Sequence, residues 1–137
     1  MHEPYAYFEH GADIGIVGRG ERIEEAFEQA ATAMFAVMAD PERISPEVSV
    51  TIEFEEADAE LALVTWLNQL LGQARSRALI FGRFRLCRDG ANWSGTAEGE
   101  PWRAGLERGV EVKGATLTGL AVTERGGIWE ARCVVDV

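Results

Sequence analysis

Basic residues and histidines are scarce in this sequence, and their scarcity limits both its partners and its chemistry. The 137 residues contain 13 lysines and arginines against 23 aspartates and glutamates, so the formal net charge is −10. Direct nucleic-acid binding requires clustered cations that neutralise phosphates, so we expect none; an acidic surface instead favours a basic protein partner. The two histidines, His2 and His10, provide no basis for a Ser-His-Asp arrangement.

Cysteines and long apolar runs are also few. Cys87 and Cys133 lie in strand-like segments without CxxC or Cys/His spacing, which predicts two reduced, partly buried thiols rather than a zinc or redox site. No apolar stretch approaches the length of a membrane span. The segment from Met1 to Glu9 lacks the basic flank and apolar run of a signal peptide. We therefore expect a cytoplasmic protein.

Composition and length are those of a globular chain. Hydrophobic residues make up 47% and charged residues 26%, which excludes a largely disordered chain. The length is sufficient to bury a core without disulfides or a structural metal. We expect a single domain spanning residues 1–137.

Apolar spacing predicts two amphipathic helices. The first covers 21–39, and the second begins after Asp58, a predicted N-cap. The apolar stripe of the first helix consists of Ile23, Phe27, Ala30, Ala31, Met34 and Met38. That of the second consists of Leu61, Val64, Leu67, Leu71 and Ala74, widened by Leu63 and Leu70.

The remaining periodic segments predict strands. They are 5–9, 13–17, 48–55, 80–88, 92–98, 110–116, 117–124 and 128–137. A break is expected at 18–20, a type I′ hairpin at Asp89-Gly90 and another turn at 125–127. The order β-β-α-β-α followed by several strands predicts an α+β fold with two helices packed on an antiparallel or mixed sheet.

Carboxylates at two strand ends are the best candidates for metal ligands. Asp13 opens an apolar strand, and its next same-face neighbour is Gly15, which predicts free room beside the carboxylate. Asp136 lies on the face opposite Cys133 and Val135, next to the α-carboxylate of Val137. Such hard oxygen donors suit Mg²⁺, Ca²⁺ or Mn²⁺. Solvated strand ends remain the alternative for both carboxylates.

Two other features have weaker functional signals. Lys113 is the single lysine beside twelve arginines, which hints at a role although chance also explains it. Gly18-Arg19-Gly20 precedes the first helix and could hold a phosphate, but it lacks a Walker lysine. A turn entering the helix is the favoured interpretation.

Five blocks in order make the sequence resemble the archease family along nearly its whole length. Residues 7–16, Tyr-Phe-Glu-His-Gly-Ala-Asp-Ile-Gly-Ile, are similar to that family's H-T-A-D-V/I-G-I block, and residues 24–35 to its first helix. Residues 66–71, Trp-Leu-Asn-Gln-Leu-Leu, resemble its W-L-N-E-L-L segment. Gly99-Glu100 and Asp136-Val137 also match.

The resemblance implies a non-enzymatic accessory protein rather than a catalyst. Its partner would be an RtcB-type RNA ligase, whose guanylylation and repeated turnover it would promote in tRNA splicing and RNA repair. The resemblance also implies a divalent metal ion held by Asp13, Asp136 and the Val137 carboxylate. The lysine of the family's K-A-x-T-Y-H block falls on Lys113, which would engage the ligase.

The sequence departs from the family pattern at two positions. Gly11 stands where threonine is usual, and Thr118 stands where the lysine block usually ends in histidine. Two other functions remain open. One is a free-standing metal-dependent phosphatase or nuclease using Asp13 and Asp136, although no general base is evident. The other is a chaperone-like binding module.

Overall fold

Strands and helices follow the predicted order in the computed structural model, which describes residues 2–137; Met1 of the predicted domain lies outside that range. The strands are β1 (Tyr5–His10), β2 (Asp13–Gly20), β3 (Val48–Glu55), β4 (Leu79–Asp89), β5 (Asn92–Pro101), β6 (Gly114–Ala115), β7 (Ala121–Arg125) and β8 (Ile128–Asp136). The helices are α1 (Ile23–Ala36) and α2 (Ala59–Arg77). A short 3-10 turn covers Pro41–Arg43.

Two antiparallel sheets share one hydrophobic core. The first has the order β1-β2-β8-β6, with β7 also paired to β8, and the second has the order β3-β5-β4. Helix α1 packs against β2 and β8 of the first sheet and β4 of the second, while α2 contacts β3, β4 and β6. The predicted α+β class is confirmed. Antiparallel and mixed strand pairing were both predicted as possible, and all strand pairs within residues 2–137 are antiparallel.

In each helix, most residues of the predicted apolar stripe are buried. Asp58 is the N-cap of α2, because its Oδ1 accepts from the N–H groups of Glu60 at 2.8 Å and Leu61 at 3.0 Å. Leu61 itself was predicted to be buried, but its side chain is 43% exposed. Within residues 2–137, neither helix has the combined length and hydropathy that crossing a membrane requires.

The predicted break at 18–20 is wrong, because β2 continues to Gly20 and pairs with β8 along that length. Gly18 is required there for close packing and not for a turn. A Cβ on Gly18 would lie 2.2 Å from the carbonyl oxygen of Ala26 and from the nitrogen of Ala30. Glycine therefore lets the backbone of α1 approach the sheet at this point.

The predicted strand 110–116 is reduced to the two residues of β6. The N–H groups of Gly109 and Val110 donate to the carbonyl oxygens of Met38 and Val37, each at 2.8 Å. The chain before Lys113 therefore runs along the end of α1 instead of along a strand. The next predicted strand, 117–124, begins only at Ala121 because residues 116–120 turn back toward β8.

The predicted turn at Asp89-Gly90 is a hairpin, but its type was predicted wrongly. Asp89 pairs with Asn92, so the two loop residues are Gly90 and Ala91, and only Gly90 has positive φ, at 62°. This pattern is that of type II′, which needs positive φ at the first loop residue alone.

Candidate functional site

The pairing of β2 with β8 brings the two predicted metal-binding aspartates to neighbouring strands. Ile14 pairs with Val135, so Asp13 and Asp136 occupy the next facing positions in the antiparallel register. Facing residues of an antiparallel pair point to the same side of the sheet, with Cβ atoms about 4.5–5.5 Å apart. Asp136 is exposed and Val135 beside it is fully buried, but Val134 is buried as well, so β8 becomes exposed only at its last residue.

Val137 also lies at this point of the sheet. Its backbone N–H donates to Oδ1 of Asp13 at 3.3 Å. This hydrogen bond ties Val137 to Asp13, the first residue of β2, at the end of the β2–β8 pair where Asp136 also lies. The structure therefore brings Asp13, Asp136 and Val137, the three residues predicted to hold a metal, to one end of β2 and β8.

Lys113 joins the same cluster through its backbone. Its N–H donates to the carbonyl oxygen of Asp136 at 2.8 Å, and Gly114 is the register partner of Asp136. The Lys113 side chain is exposed. The ion pairs within residues 2–137 are Arg19–Glu130, Arg22–Glu24 and Arg103–Glu100. Over that range, Lys113 and both aspartates are without an ion-pair partner.

The predicted free room beside Asp13 is occupied by an aromatic ring. A Cβ on Gly15 would lie 2.3 Å from the ring of Phe8, which pairs with Gly15 from β1. The guanidinium of Arg132 lies 4.2 Å from the centre of the same ring. The prediction of open space is therefore wrong, because glycine here makes room for Phe8 and not for a ligand.

The donor set fits a hard divalent cation. Within residues 2–137, no three His, Cys, Asp or Glu side chains are grouped to hold a metal. The predicted set is of another kind, with two side-chain carboxylates and one main-chain carboxylate. All of its donors are oxygens, the ligands preferred by Ca²⁺, Mg²⁺ and Mn²⁺.

Both cysteines are free thiols and are not among the predicted ligands. Cys133 is fully buried, and burial raises its pKa to about 12. Cys87 is exposed on β4, so the predicted burial holds for Cys133 alone.

Comparison with known proteins decides the family. The model of the archease protein family (MTH1598/TM1083) matches residues 5–137. The chain belongs to the archease family. It is 38% identical to protein archease of Sulfolobus acidocaldarius over 136 residues, which cover 97% of this chain and 98% of that protein. It is 32% identical to protein archease of Aeropyrum pernix over 143 residues, covering 100% and 96%.

Two solved structures have the same fold. The solution structure of Methanobacterium thermoautotrophicum protein 1598 matches with a TM-score of 0.86 and 30% identity, covering 98% of this chain and 99% of that one. A crystal structure from Thermotoga maritima, described as an archease and possible chaperone, matches with a TM-score of 0.67 and 22% identity, covering 100% and 98%. At that identity the second likeness shows the fold alone.

The two departures from the archease pattern lie near Asp13 and Lys113 in the sequence. Gly11 is in the loop between His10 and Asp13 and has a φ of +59°, a conformation that disfavours β-branched residues. Thr118 lies downstream of Lys113, and its carbonyl oxygen accepts from the N–H of Val134 at 2.9 Å. In this archease the backbone at position 118 is therefore bonded to β8, and its side chain is exposed.

Asn68 is a residue at this site that the sequence reasoning missed. It belongs to the Trp-Leu-Asn segment, which was noted only as a family match. Trp66 of that segment is fully buried and donates its indole N–H to the carbonyl oxygen of Phe27 at 3.0 Å. Asn68 is exposed but bonds the backbone of Ala115 in β6. Its polarity within an apolar helical segment was the available signal.

Glu100, the other family match, is buried and structural. Its carboxylate accepts from the N–H of Ser45 at 2.6 Å and from Nε of Arg103 at 2.8 Å. These hydrogen bonds lower the pKa of Glu100, and the bond from Ser45 has the largest effect. Glu100 lies near the end of β5 in the second sheet, so it ties the loop at Ser45 to that sheet and has no part in the candidate metal site.

Proposed function

We propose that this archease is a cytoplasmic, non-enzymatic, metal-binding activator of an RtcB-type RNA ligase. It would promote guanylylation of the ligase and repeated turnover during tRNA splicing and RNA repair. The observation that carries the proposal is the meeting of Asp13, Asp136, Val137 and Lys113 at one end of β2 and β8. Asp13 is at least 100 positions from the other three in the sequence, and all four are the residues that the family resemblance implies.

Asp13, Asp136 and the Val137 α-carboxylate would hold the metal ion, with calcium, magnesium or manganese as candidates. A divalent ion supplies charge screening for phosphates and orients the attacking group in guanylyl transfer. The hydrogen bond from Val137 occupies one oxygen of Asp13 and restrains the side chain, leaving its second oxygen available. The protein residues thus contribute a restrained, anionic set of oxygens.

Lys113 is suited to contact the partner rather than the metal. Its ammonium can donate hydrogen bonds but cannot act as a ligand while protonated. It can bind a phosphate or a carboxylate of the ligase. The net charge of −10 favours approach to a basic RNA enzyme and disfavours direct RNA binding.

A ligase guanylylation assay tests the proposal. Guanylylated ligase and joined RNA are measured under multiple-turnover conditions with and without the protein, in buffers with defined Ca²⁺, Mg²⁺ or Mn²⁺ and in chelator. We expect stimulation that requires metal. No stimulation of a cognate ligase contradicts the proposal. Hydrolysis of RNA or nucleotides without ligase would indicate a phosphatase or nuclease. Suppression of aggregation of unrelated proteins, independent of Asp13, would indicate a chaperone-like module.

A further inference from the structure

Helix α2 holds β6 in the way that a neighbouring strand would. The side-chain amide of Asn68 donates to the carbonyl oxygen of Ala115 at 3.1 Å, and Asn68 Oδ1 accepts from the N–H of Ala115 at 2.8 Å. Both backbone groups of Ala115 are therefore bonded to one side chain. The opposite edge of β6 is paired with β8, so this short segment is held from both sides.

Arg75 holds the beginning of the same segment. Its Nη2 donates to the carbonyl oxygen of Val112 at 3.1 Å and also to that of Lys113. Asn68 and Arg75 are seven residues apart, about two helical turns, and so lie on one face of α2. We call these two side chains the α2 clamp. They bond residues 112–115, and Lys113 lies within that stretch.

The clamp matters because β6 has little support of its own. A strand of two residues is shorter than the usual three to ten, and the chain from Trp102 to Lys113 has no helix or strand. Asn68 is exposed and is not part of the hydrophobic core, so its side chain is not needed to bury apolar surface. Its two hydrogen bonds are its contribution to the molecule.

We infer that Asn68 is a positioning residue of the candidate site, which sets the backbone that presents Lys113 beside Asp136. The inference rests on the proposed function, because Lys113 is the residue proposed to engage the ligase. The chain of contacts is short: Asn68 bonds Ala115, Gly114 pairs with Asp136, and the Lys113 N–H bonds the Asp136 carbonyl. Loss of Asn68 removes both bonds to Ala115 and loosens the segment after Lys113, while the Arg75 bonds and the β2–β8 pairing stay in place.

Asn68→Ala removes both hydrogen bonds and is the principal variant. Asn68→Asp is the second variant, which keeps an acceptor for the Ala115 N–H but loses the donor to the Ala115 carbonyl. Gln69→Ala is the matched control, because Gln69 is the next exposed residue of α2 and makes no hydrogen bond to residues 112–116. Thermal melts of all three variants test whether the fold is retained.

The experiment measures amide hydrogen exchange of residues 113–116 in the protein alone, and the protein concentration that gives half-maximal ligase stimulation. Two hydrogen bonds of ordinary net strength correspond to roughly tenfold or more in an equilibrium. We therefore expect about tenfold faster exchange at Ala115 in Asn68→Ala and a similar rise in the half-maximal concentration. Asn68→Asp should show a smaller change in both, and Gln69→Ala none. Asn68→Ala combined with Lys113→Ala should stimulate no less than Lys113→Ala alone.

The possible failures are distinguishable. If the wild-type protein stimulates the ligase and Asn68→Ala stimulates equally, the inference is wrong and the proposed function stands. Unchanged exchange at residues 113–116 in Asn68→Ala also overturns the inference. Additive losses in the double variant would show that Asn68 acts independently of Lys113, which overturns it as well. If the wild-type protein fails to stimulate, the proposed function is wrong and the inference falls with it.

Discussion

The backbone N–H of Val137 donates a hydrogen bond to Oδ1 of Asp13, 3.3 Å away, across 124 positions of the sequence. The bond forms because β2 and β8 are antiparallel neighbours, so the start of one meets the end of the other. It restrains a carboxylate that is otherwise without an ion-pair partner in the part of the chain that the structure describes. The Asp13 carboxylate, the Val137 α-carboxylate and the Asp136 side chain can each be altered separately.

Removing the charge of either aspartate should weaken metal binding without unfolding the protein. Asp13→Asn and Asp136→Asn each remove one negative charge from a set of three, and we expect roughly tenfold or greater loss of affinity. Asparagine keeps Oδ1 at position 13, so the bond from Val137 can persist, and stability should change by about 0.5 kcal/mol or less. Titration calorimetry with Ca²⁺ or Mn²⁺ and melts in chelator measure the two quantities.

Glu53→Gln is the control for these variants, because Glu53 is an exposed carboxylate on β3 in the other sheet. It should bind metal like the wild type. Wild-type affinity in either aspartate variant would show that the assigned side chain is not a ligand.

Extension of the chain beyond Val137 should impair metal binding and ligase stimulation. A peptide bond at Val137 converts its α-carboxylate into an amide carbonyl and removes one formal charge, so the expected loss of affinity is again roughly tenfold. The fold should be kept, because Val135 is the last fully buried residue of β8. An amino-terminal tag of the same length is the control. Equal affinity of both tagged proteins would exclude the terminus as a ligand.

Lys113→Ala should separate partner engagement from metal binding. The Lys113 side chain is exposed, and only its backbone bonds Asp136, so alanine leaves the carboxylates in place. We expect unchanged calcium affinity and at least about tenfold weaker ligase stimulation, the size expected for a lost charge-assisted contact. Lys113→Arg should recover part of the activity. A full stimulation curve that superimposes on the wild type would remove Lys113 from the site.

Glu100→Gln should lower the melting temperature by a few degrees at pH 7, because the buried carboxylate accepts from Ser45 and Arg103. The pKa of Glu100 is lowered in the folded protein. Its ionised form therefore stabilises the fold fully above the unfolded pKa of about 4.3, and this contribution is lost as pH falls through the folded pKa. The difference between variant and wild type should shrink in melts at progressively lower pH. A difference that grows on acidification would contradict this assignment.

Gly11→Thr introduces the residue usual in the family and should destabilise this protein. Gly11 has a φ of +59° and open space around its Cβ position, so the cost arises from the backbone alone. We expect a loss of about 1–2 kcal/mol in urea denaturation. Gly11→Asn should cost less, because asparagine tolerates this conformation better. A threonine variant as stable as the wild type would mean that the β1–β2 loop adopts another turn.

The sequence by itself determined the local elements in which neighbouring residues all favour the same secondary structure. Strand β3 has the predicted bounds 48–55, because its strict alternation has period two from end to end. Asp58 was identified as the N-cap of α2 because capping depends on the residues that follow directly. Asp13, Asp136 and the Val137 α-carboxylate were named from their hard-oxygen chemistry and from family resemblance, whereas Lys113 was named from the family's lysine block and as the single lysine of the sequence.

Tertiary packing decided the strand bounds and long-range contacts that hydrophobic periodicity does not predict. Gly18 signals a turn in sequence, yet it lies in β2 because α1 needs the missing side chain to approach the sheet. Residues 110–113 look like a strand, but the N–H of Val110 bonds the carbonyl oxygen of Val37 and Arg75 of α2 bonds the carbonyl oxygens of Val112 and Lys113. Only Gly114–Ala115 remain as β6. The hydrogen-bond partner of Asn68 is Ala115, which is 47 positions away in the sequence. Such contacts depend on which elements meet in space, and the register of β2 against β8 is what turns two separate carboxylates into one candidate site.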